Sequence, residues 1–384
     1  MAKVIVGMSG GVDSAAAAYL LKKAGYEVTG VTLRTWKSSD GEENRCCEID
    51  EARRIAETIG IEYRTLNCEE VFRRQVIHPF VQEYLAGRTP NPCIGCNPKI
   101  KWEWMEYLAG VLQADYVATG HYASVLELPN GRFTVKKAVH AEKDQTYMLY
   151  RLSQDQLKKT LMPLGKYSKK EVRQIAREAG LTVASKPDSQ EICFVPDDDY
   201  AGFIRNYVET ARNSGQAGSG EAAAPGKGDA SYGNRNASGM LALPGAGAFV
   251  NEQGEKLGTH RGIIHYTVGQ RRGLNLPLGS RAYVKEIRPE TNEVVIGDNE
   301  SLFRKDVFCT DICFMGIPEM TPGEKVRALA KIRYHHREQS AEVECTAEDE
   351  ICIRFDEPVR APAPGQSAVF YSEDGCVLGG GVIR

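Results

Sequence analysis

Through roughly the first 200 residues, short apolar runs alternate with stretches whose apolar positions recur at helical spacing. The runs near Val4 to Met8, Val28 to Leu33, Tyr63 to Leu66 and Tyr116 to Thr119 read as strands separated by amphipathic segments. That alternation predicts an α/β fold on a doubly wound parallel sheet. Ile49, Ala52, Ile55, Ala56 and Ile59 share one helical face, and Gly60 supplies its C-terminal stop. Ser168 with Glu171 forms a capping-box pattern for a helix ending near Gly180, and Asn130-Gly131 marks a hairpin. Near the C-terminus the period changes to two: Val326, Ala328, Ala330 and Ile332; Val343 and Cys345; Ile351, Ile353 and Phe355; Val369 and Tyr371. This pattern predicts short antiparallel strands closing a β-barrel. Residues 211–247 are dominated by Gly, Ala, Ser, Asn and Pro and read as a disordered insertion. The expected organisation is a sheet domain over 1–205, a small central region over 206–302 that contains the insertion, and a barrel over 303–384.

Length agrees, since 384 residues predict roughly two or three domains. The net charge of −3 gives no overall nucleic-acid footprint, so any polyanion must meet a local patch. The basic, aromatic string His260 to Leu274 and the run Ile332 to Arg337 are such patches; for the latter a solvated strand edge would look similar. The pairs Lys136-Lys137 and Lys169-Lys170 read as solvated surface charge. Nowhere do 18 uncharged apolar residues run together, and the first residues are already strand-like, so no membrane partner and a cytoplasmic location are expected. Eleven cysteines, with one close pair at Cys93 and Cys96, point to thiol chemistry or metal rather than a disulfide scaffold. Cys46 and Cys47 read as ordinary loop thiols.

The segment Lys3 to Ser14 is a strand running into a glycine-serine turn and then a helix, the geometry that cradles a phosphate. Gly10 and Gly11 let the backbone approach an anion, while Ser9, Asp13 and Ser14 add hydroxyls and a carboxylate. No Lys follows the last glycine, so this is not a Walker A loop, and the spaced glycines of the dinucleotide fingerprint are absent. In Thr89 to Asn97, two prolines stiffen the backbone before Cys93 and Cys96, with a helix expected to open near Lys99 and to favour the thiolate there. Far along the chain, Cys193 stands in an expected short strand between polar groups.

The string Ser9 to Ser14 resembles the PP-loop of the ATP pyrophosphatase superfamily, whose members hold the pyrophosphate of ATP as leaving group and transfer AMP to a substrate oxygen. Together with both cysteine segments, and with ATGHYA at Ala118, KDQTYML at Lys143, YTVGQRRGL at Tyr266 and PGQSAVFY at Pro364, the chain resembles the tRNA-specific 2-thiouridylases over nearly its whole length. The resemblance implies an ATP site of Gly7, Met8, Ser9, Gly10, Gly11, Val12, Asp13, Ser14, Leu33 and Gly120, with Mg²⁺ neutralising the pyrophosphate. It implies that Cys193 carries a persulfide and that Cys96 is its partner thiol and nucleophile. Asn91, Pro92, Cys93, His121, Lys143, Asp144, Gln145, Arg333, Tyr334 and Gln366 would contact tRNA, making 206–302 a tRNA-binding region. The implied substrates are the tRNAs for Lys, Glu and Gln, and a cysteine desulfurase or persulfide relay protein would supply sulfur.

One position departs from the pattern: many members have aspartate where this chain has Cys93. Cys93, Cys96 and Cys193 are therefore also a candidate iron–sulfur ligand set, and Cys93 with Cys96 half of a zinc site. Two rival functions stand beside the thiouridylase reading. One is another ATP pyrophosphatase acting on a small molecule, against which stand the distal thiols and the lack of a glutaminase segment; the other is a noncatalytic RNA- or metal-binding module.

Overall fold

The computed structural model describes residues 1–36, 48–186, 192–195, 198–213 and 242–384. Cys46, Cys47 and most of the expected insertion lie outside the described residues. A parallel sheet has the order β3-β2-β1-β4-β7, with β1 (Lys3–Gly7), β2 (Glu27–Arg34), β3 (Glu62–Asn67), β4 (Tyr116–Ala118) and β7 (Thr160–Leu161). The four anticipated strands are all present within a residue or so of their expected ends. Because β1, β2 and β4 run the same way, Gly7, Arg34 and Ala118 finish at one edge, where ligands bind in such sheets. Helix α1 (Val12–Lys23) packs there through Ala15, Ala16, Ala17 and Ala18, all fully buried; side chains this small let it lie close to both the sheet and the helix Lys169–Glu178. That second helix carries the expected capping box, the Ser168 hydroxyl accepting from the Glu171 amide at 3.2 Å and the Glu171 carboxylate from the Ser168 amide at 2.7 Å. Helix α2 (Ile49–Ile59) buries the predicted face and stops at Gly60, whose φ of 74° is left-handed.

The Asn130-Gly131 turn joins β5 (Ala123–Glu127) to β6 (Phe133–Lys137) as anticipated. A mixed four-stranded sheet follows, built from β8 (Gly247–Val250), β9 (Lys256–His260), β10 (Tyr283–Arg288) and β11 (Glu293–Gly297) in the order β10-β11-β8-β9. The C-terminal barrel closes through β12 (Phe303–Phe314), β13 (Lys325–Lys331), β14 (Gln339–Ala347), β15 (Glu350–Arg360), β16 (Ser367–Tyr371) and β17 (Val377–Ile383). Alternation located β13 to β16. It missed β12, and it missed β17, whose Gly379, Gly380 and Gly381 look like a loop, yet a Cβ on Gly379 would stand 2.5 Å from the Cys313 carbonyl oxygen and one on Gly380 2.8 Å from the Tyr150 ring. Glycine is there for close packing, not for a turn.

The barrel is fixed to the sheet domain by a buried charge. Lys331, 5 % exposed, lies 5.5, 5.9 and 5.6 Å from the ring centres of Tyr147, Tyr334 and Tyr371, with the Asp144 carboxylate at 3.8 Å. Burial pulls the Lys331 ammonium below the ordinary lysine range, against the attraction of Asp144 and Glu338. Asp144 also accepts from the amide of Ala138 at 3.2 Å and the hydroxyl of Thr146 at 2.8 Å. Replacing Asp144 with alanine orphans these donors and leaves the cation only the more distant Glu338 at 4.0 Å, so denaturant titration should show a loss of about 3 kcal/mol. An unchanged midpoint would mean that the lysine has another outlet.

Candidate active site

At the end of β1 the chain turns through Met8 to Gly11. The Met8 amide donates to Val31 and the Thr32 hydroxyl to the Met8 carbonyl, each at 2.7 Å, fixing the turn to β2. Gly10 takes a φ of 80°, and a side chain there would meet Glu48 Cβ at 2.9 Å. Ser14 Oγ sits over the loop, accepting from the Ser9 amide at 3.2 Å and donating to the Gly11 carbonyl at 3.1 Å. At the end of β4, Gly120 presses so close that a Cβ would lie 2.7 Å from both the Asp13 carbonyl carbon and the Ser14 amide nitrogen. Gly7 to Ser14 and Gly120 are thus one surface, with Leu33 near the end of β2 beside β1.

Asp13 is held from two sides. Lys169 Nζ stands 2.8 Å from each of its carboxylate oxygens, and the Tyr122 hydroxyl donates to Oδ1 at 2.7 Å. The expectation of a solvated Lys169 is therefore corrected: its side chain is 13 % exposed and points into the glycine loop. Lys137 is corrected too, since it lies 4.3 Å over the Tyr371 ring and pairs with Glu338. Lys186 pairs with Glu48 on the far side of Gly10. Sequence reading missed Lys169 and Tyr122 because their partner is more than 100 residues away. The available signals were the tyrosine inside ATGHYA and a lysine at a helix start near the loop. A Lys169→Gln substitution should slow ATP cleavage by about 10–100-fold, the worth of a charge-assisted hydrogen bond; pyrophosphate release measures it, and a wild-type rate would leave Lys169 a mere strut.

The cysteines differ from expectation in local structure. Asn91 caps a helix at Pro92–Cys96, its side chain accepting from the Cys93 amide at 3.1 Å, so both thiols lie inside the helix and not before it. The chain continues helically through Asn97–Trp102 and Glu103–Leu112 against β1. The expected thiolate preference at Cys93 is overturned: burial pushes its thiol up, the Lys101 charge opposes this, and nearby Cys193 pushes it further. Cys193 occupies a turn, closed by the Val195 amide on the Ile192 carbonyl at 2.9 Å, and not the expected strand. The adjoining Phe194 packs between Phe72 and Phe80, in the apolar cluster that holds Cys96 and against which Cys193 packs. The two distal segments therefore meet. Among the described residues no three His, Cys, Asp or Glu side chains form a metal-holding group, so Cys93, Cys96 and Cys193 as placed do not fit a cluster.

Other predicted residues have partners of their own around these segments. The His121 ring lies 5.7 Å from that of Trp102, tilted by 31°, and shares a 2.8 Å hydrogen bond with Thr119; burial, then Lys101, takes its imidazole well below the usual range, so it is neutral. Lys101, which faces both Cys93 and His121, was not anticipated. Gln145 accepts from the Tyr122 amide at 2.9 Å, beside Lys143 and the buried Asp144. Tyr334 reaches from the barrel toward Cys93, whose charge, after burial and Asp144, raises its phenol. It lies with Arg333 in the turn after β13, not on a strand edge. Gln366 donates to the Thr89 carbonyl at 2.9 Å, four residues before Cys93.

Fold and site together define the class of protein: a glycine-loop α/β domain with a thiol site, where two distant cysteine segments meet, joined to a closed β-barrel. Family models agree along the chain: a tRNA methyl transferase HUP domain matches residues 2–197, a tRNA methyl transferase PRC-barrel domain 242–298, and an aminomethyltransferase beta-barrel domain 304–383. The chain is 49 % identical to the tRNA-specific 2-thiouridylase MnmA of Lachnoclostridium phytofermentans over 100 % of this chain and 99 % of that one. It is 44 % identical to the protein of that name from Clostridioides difficile, over 100 % and 98 %. A solved structure of the U34-tRNA thiolase NcsA from Methanococcus maripaludis is 19 % identical at a TM-score of 0.34, covering 56 % of this chain and 66 % of that one, a likeness too slight to build on. The chain belongs to the tRNA-specific 2-thiouridylase family.

Proposed function

We propose that this protein is a tRNA-uridine 2-sulfurtransferase that adenylates the C2 oxygen of a wobble uridine and replaces it with sulfur. The observation that carries the reading is the meeting of the Cys93–Cys96 helix with the Cys193 turn, on a helical run that packs against β1 beneath the glycine loop. The C2 carbonyl oxygen leaves poorly on its own; bonded to the α-phosphate of ATP, with pyrophosphate released, it departs as part of AMP. The loop amides and Lys169 would face the phosphates and meet the charge of the departing pyrophosphate; Asp13, whose two oxygens already hold Lys169 and one of which also holds Tyr122, does not as placed fit the expected Mg²⁺.

A persulfide on Cys193 supplies the sulfur. Its terminal sulfur adds to C2 and Cys96 closes a disulfide with Cys193, or Cys96 first releases hydrosulfide that attacks. Either route ends in a Cys96–Cys193 disulfide that an outside reductant must reopen. Neutral His121 and Tyr334, with Asn91, Pro92, Cys93, Lys143, Asp144, Gln145, Arg333 and Gln366, are assigned to the rim that receives the unstacked base and its neighbours. We assign 1–205 to catalysis, 206–302 with the barrel 303–384 to grip of the anticodon arm, the tRNAs for Lys, Glu and Gln as substrates, and a cysteine desulfurase or relay protein as donor. No helix among the described residues is long and apolar enough to cross a membrane, and a cytoplasmic location fits these partners. Mass spectrometry of tRNA from a strain lacking the protein, with and without its restoration, tests the function. Sulfur at wobble uridine should appear only on restoration; its presence in both would reject the assignment.

A further inference from the structure

Two arginines of the barrel meet where all three parts of the chain touch. Arg333 follows β13, and Arg360 is the last residue of β15. Between them lies Gly269 of the basic central string, in the left-handed region at φ 88°. A Cβ on Gly269 would stand 3.4 Å from Arg333 Nη2, 3.6 Å from Arg360 Nη1 and 2.8 Å from Ala361 Cβ. Both guanidiniums thus pack against Gly269, and a side chain there would push into Ala361 and part them.

Each arginine is braced by neutral groups. Arg333 donates to the Ala361 carbonyl; Arg360 donates to Asn299 Oδ1 at 3.1 Å and lies 4.9 Å over the Tyr283 ring. Among the described residues neither has a carboxylate within ion-pair distance, whereas the barrel arginines Arg327, Arg354 and Arg384 are paired with Asp356, Asp306 and Glu350. Arg333 is half-buried and feels the like charge of Arg360, which makes its cation costlier to hold. Two forked cations kept side by side without an anion are a receptor for one, and phosphate matches their planar donors best.

The location gives the anion a purpose. Beside this pair, Thr89 donates from its amide to the Pro364 carbonyl at 2.8 Å, accepts from Gln366 at 2.9 Å, and brings its hydroxyl to within 3.3 Å of the Thr267 hydroxyl. Thr89 leads through Asn91 to Cys93, so a group seated between Arg333 and Arg360 fixes the barrel and the central string around the root of the cysteine helix.

We propose that Arg360 acts with Arg333 as a clamp for one backbone phosphate of the bound RNA, held by the two half-buried guanidiniums that meet beside Gly269. This assignment rests on the reading of the chain as a tRNA-modifying enzyme. The test is the affinity of the full chain for an unmodified tRNA transcript as salt is raised from about 50 to 200 mM. Arg360→Gln should weaken binding and flatten the slope of log K against log salt by about 0.7–0.9, one phosphate contact. Arg360→Lys should keep the slope but bind several-fold more weakly, because the charge remains and the fork is lost. Arg327→Gln, at a paired barrel arginine, should leave the slope unchanged.

A wild-type slope in folded Arg360→Gln would overturn the clamp while leaving the enzymatic reading intact, as would an equal flattening in Arg327→Gln. Should Arg360→Gln not fold, Arg360→Lys carries the test, and unchanged affinity there overturns the clamp. Failure of the wild-type chain to bind tRNA at all would overturn both the clamp and the reading beneath it.

Discussion

Alanine at Cys193, or at Cys96, should abolish 2-thiouridine formation while ATP still binds. On the proposed route the two thiols act as one unit, the first carrying sulfur and the second releasing it, so either loss should cost on the order of 10³-fold or more and the double variant little beyond that. The setting of Cys193 separates chemistry from folding, whereas Cys96 is buried in the apolar cluster and its alanine variant should also lose some stability. Cys193 is only partly buried, in a turn beside the Phe194 anchor, so its truncation removes few apolar contacts. Buried Cys309 offers the contrast: it sits inside the barrel, burial pushes its thiol far up, and its alanine variant should thiolate normally with a modest loss of stability. Thiolated tRNA is counted by mass spectrometry and ATP binding by calorimetry. Full thiolation by Cys96→Ala or Cys193→Ala would end the assignment.

Alanine at Gly120 should strike the other half of the reaction. Its methyl would fall 2.7 Å from backbone atoms of Asp13 and Ser14, and backbone cannot swing aside as a long side chain does. The glycine loop must shift by several tenths of an ångström or more, displacing the amides proposed to face the phosphates. A misplacement approaching 1 Å can cost about 10²-fold in rate, which is the loss expected in tRNA-dependent pyrophosphate release. The cysteines should stay reactive, so loading of persulfide onto Cys193 by a sulfur donor should match wild type. If pyrophosphate release were unchanged, the loop would have more freedom than its contacts with Gly120 suggest.

The elements that position the site were legible wherever local rules governed them. Strand alternation located the parallel sheet, Ser168 and Glu171 located a helix start, and Gly60 a helix end. Glycines tuned to contact rather than to turns hid β17, and the cap made by Asn91 moved the cysteine helix six residues or so ahead of Lys99. Burial was illegible for charged residues. Lys169 and Lys331 look like surface lysines in the sequence, yet one reaches Asp13 and the other sits among three tyrosines, because distant elements supply the partners. Resemblance gathered Cys96, Cys193 and the glycine loop into one site; it gave no hint of Lys101 facing Cys93 and His121, nor of Gln366 holding Thr89.

The path of the departing oxygen tests the central claim most directly. A tRNA carrying ¹⁸O at C2 of its wobble uridine should yield, in one turnover with ATP and a sulfur donor, AMP containing a single ¹⁸O atom and uridine containing sulfur in its place. AMP without the label, alongside thiolated uridine, would contradict activation of that oxygen by the nucleotide.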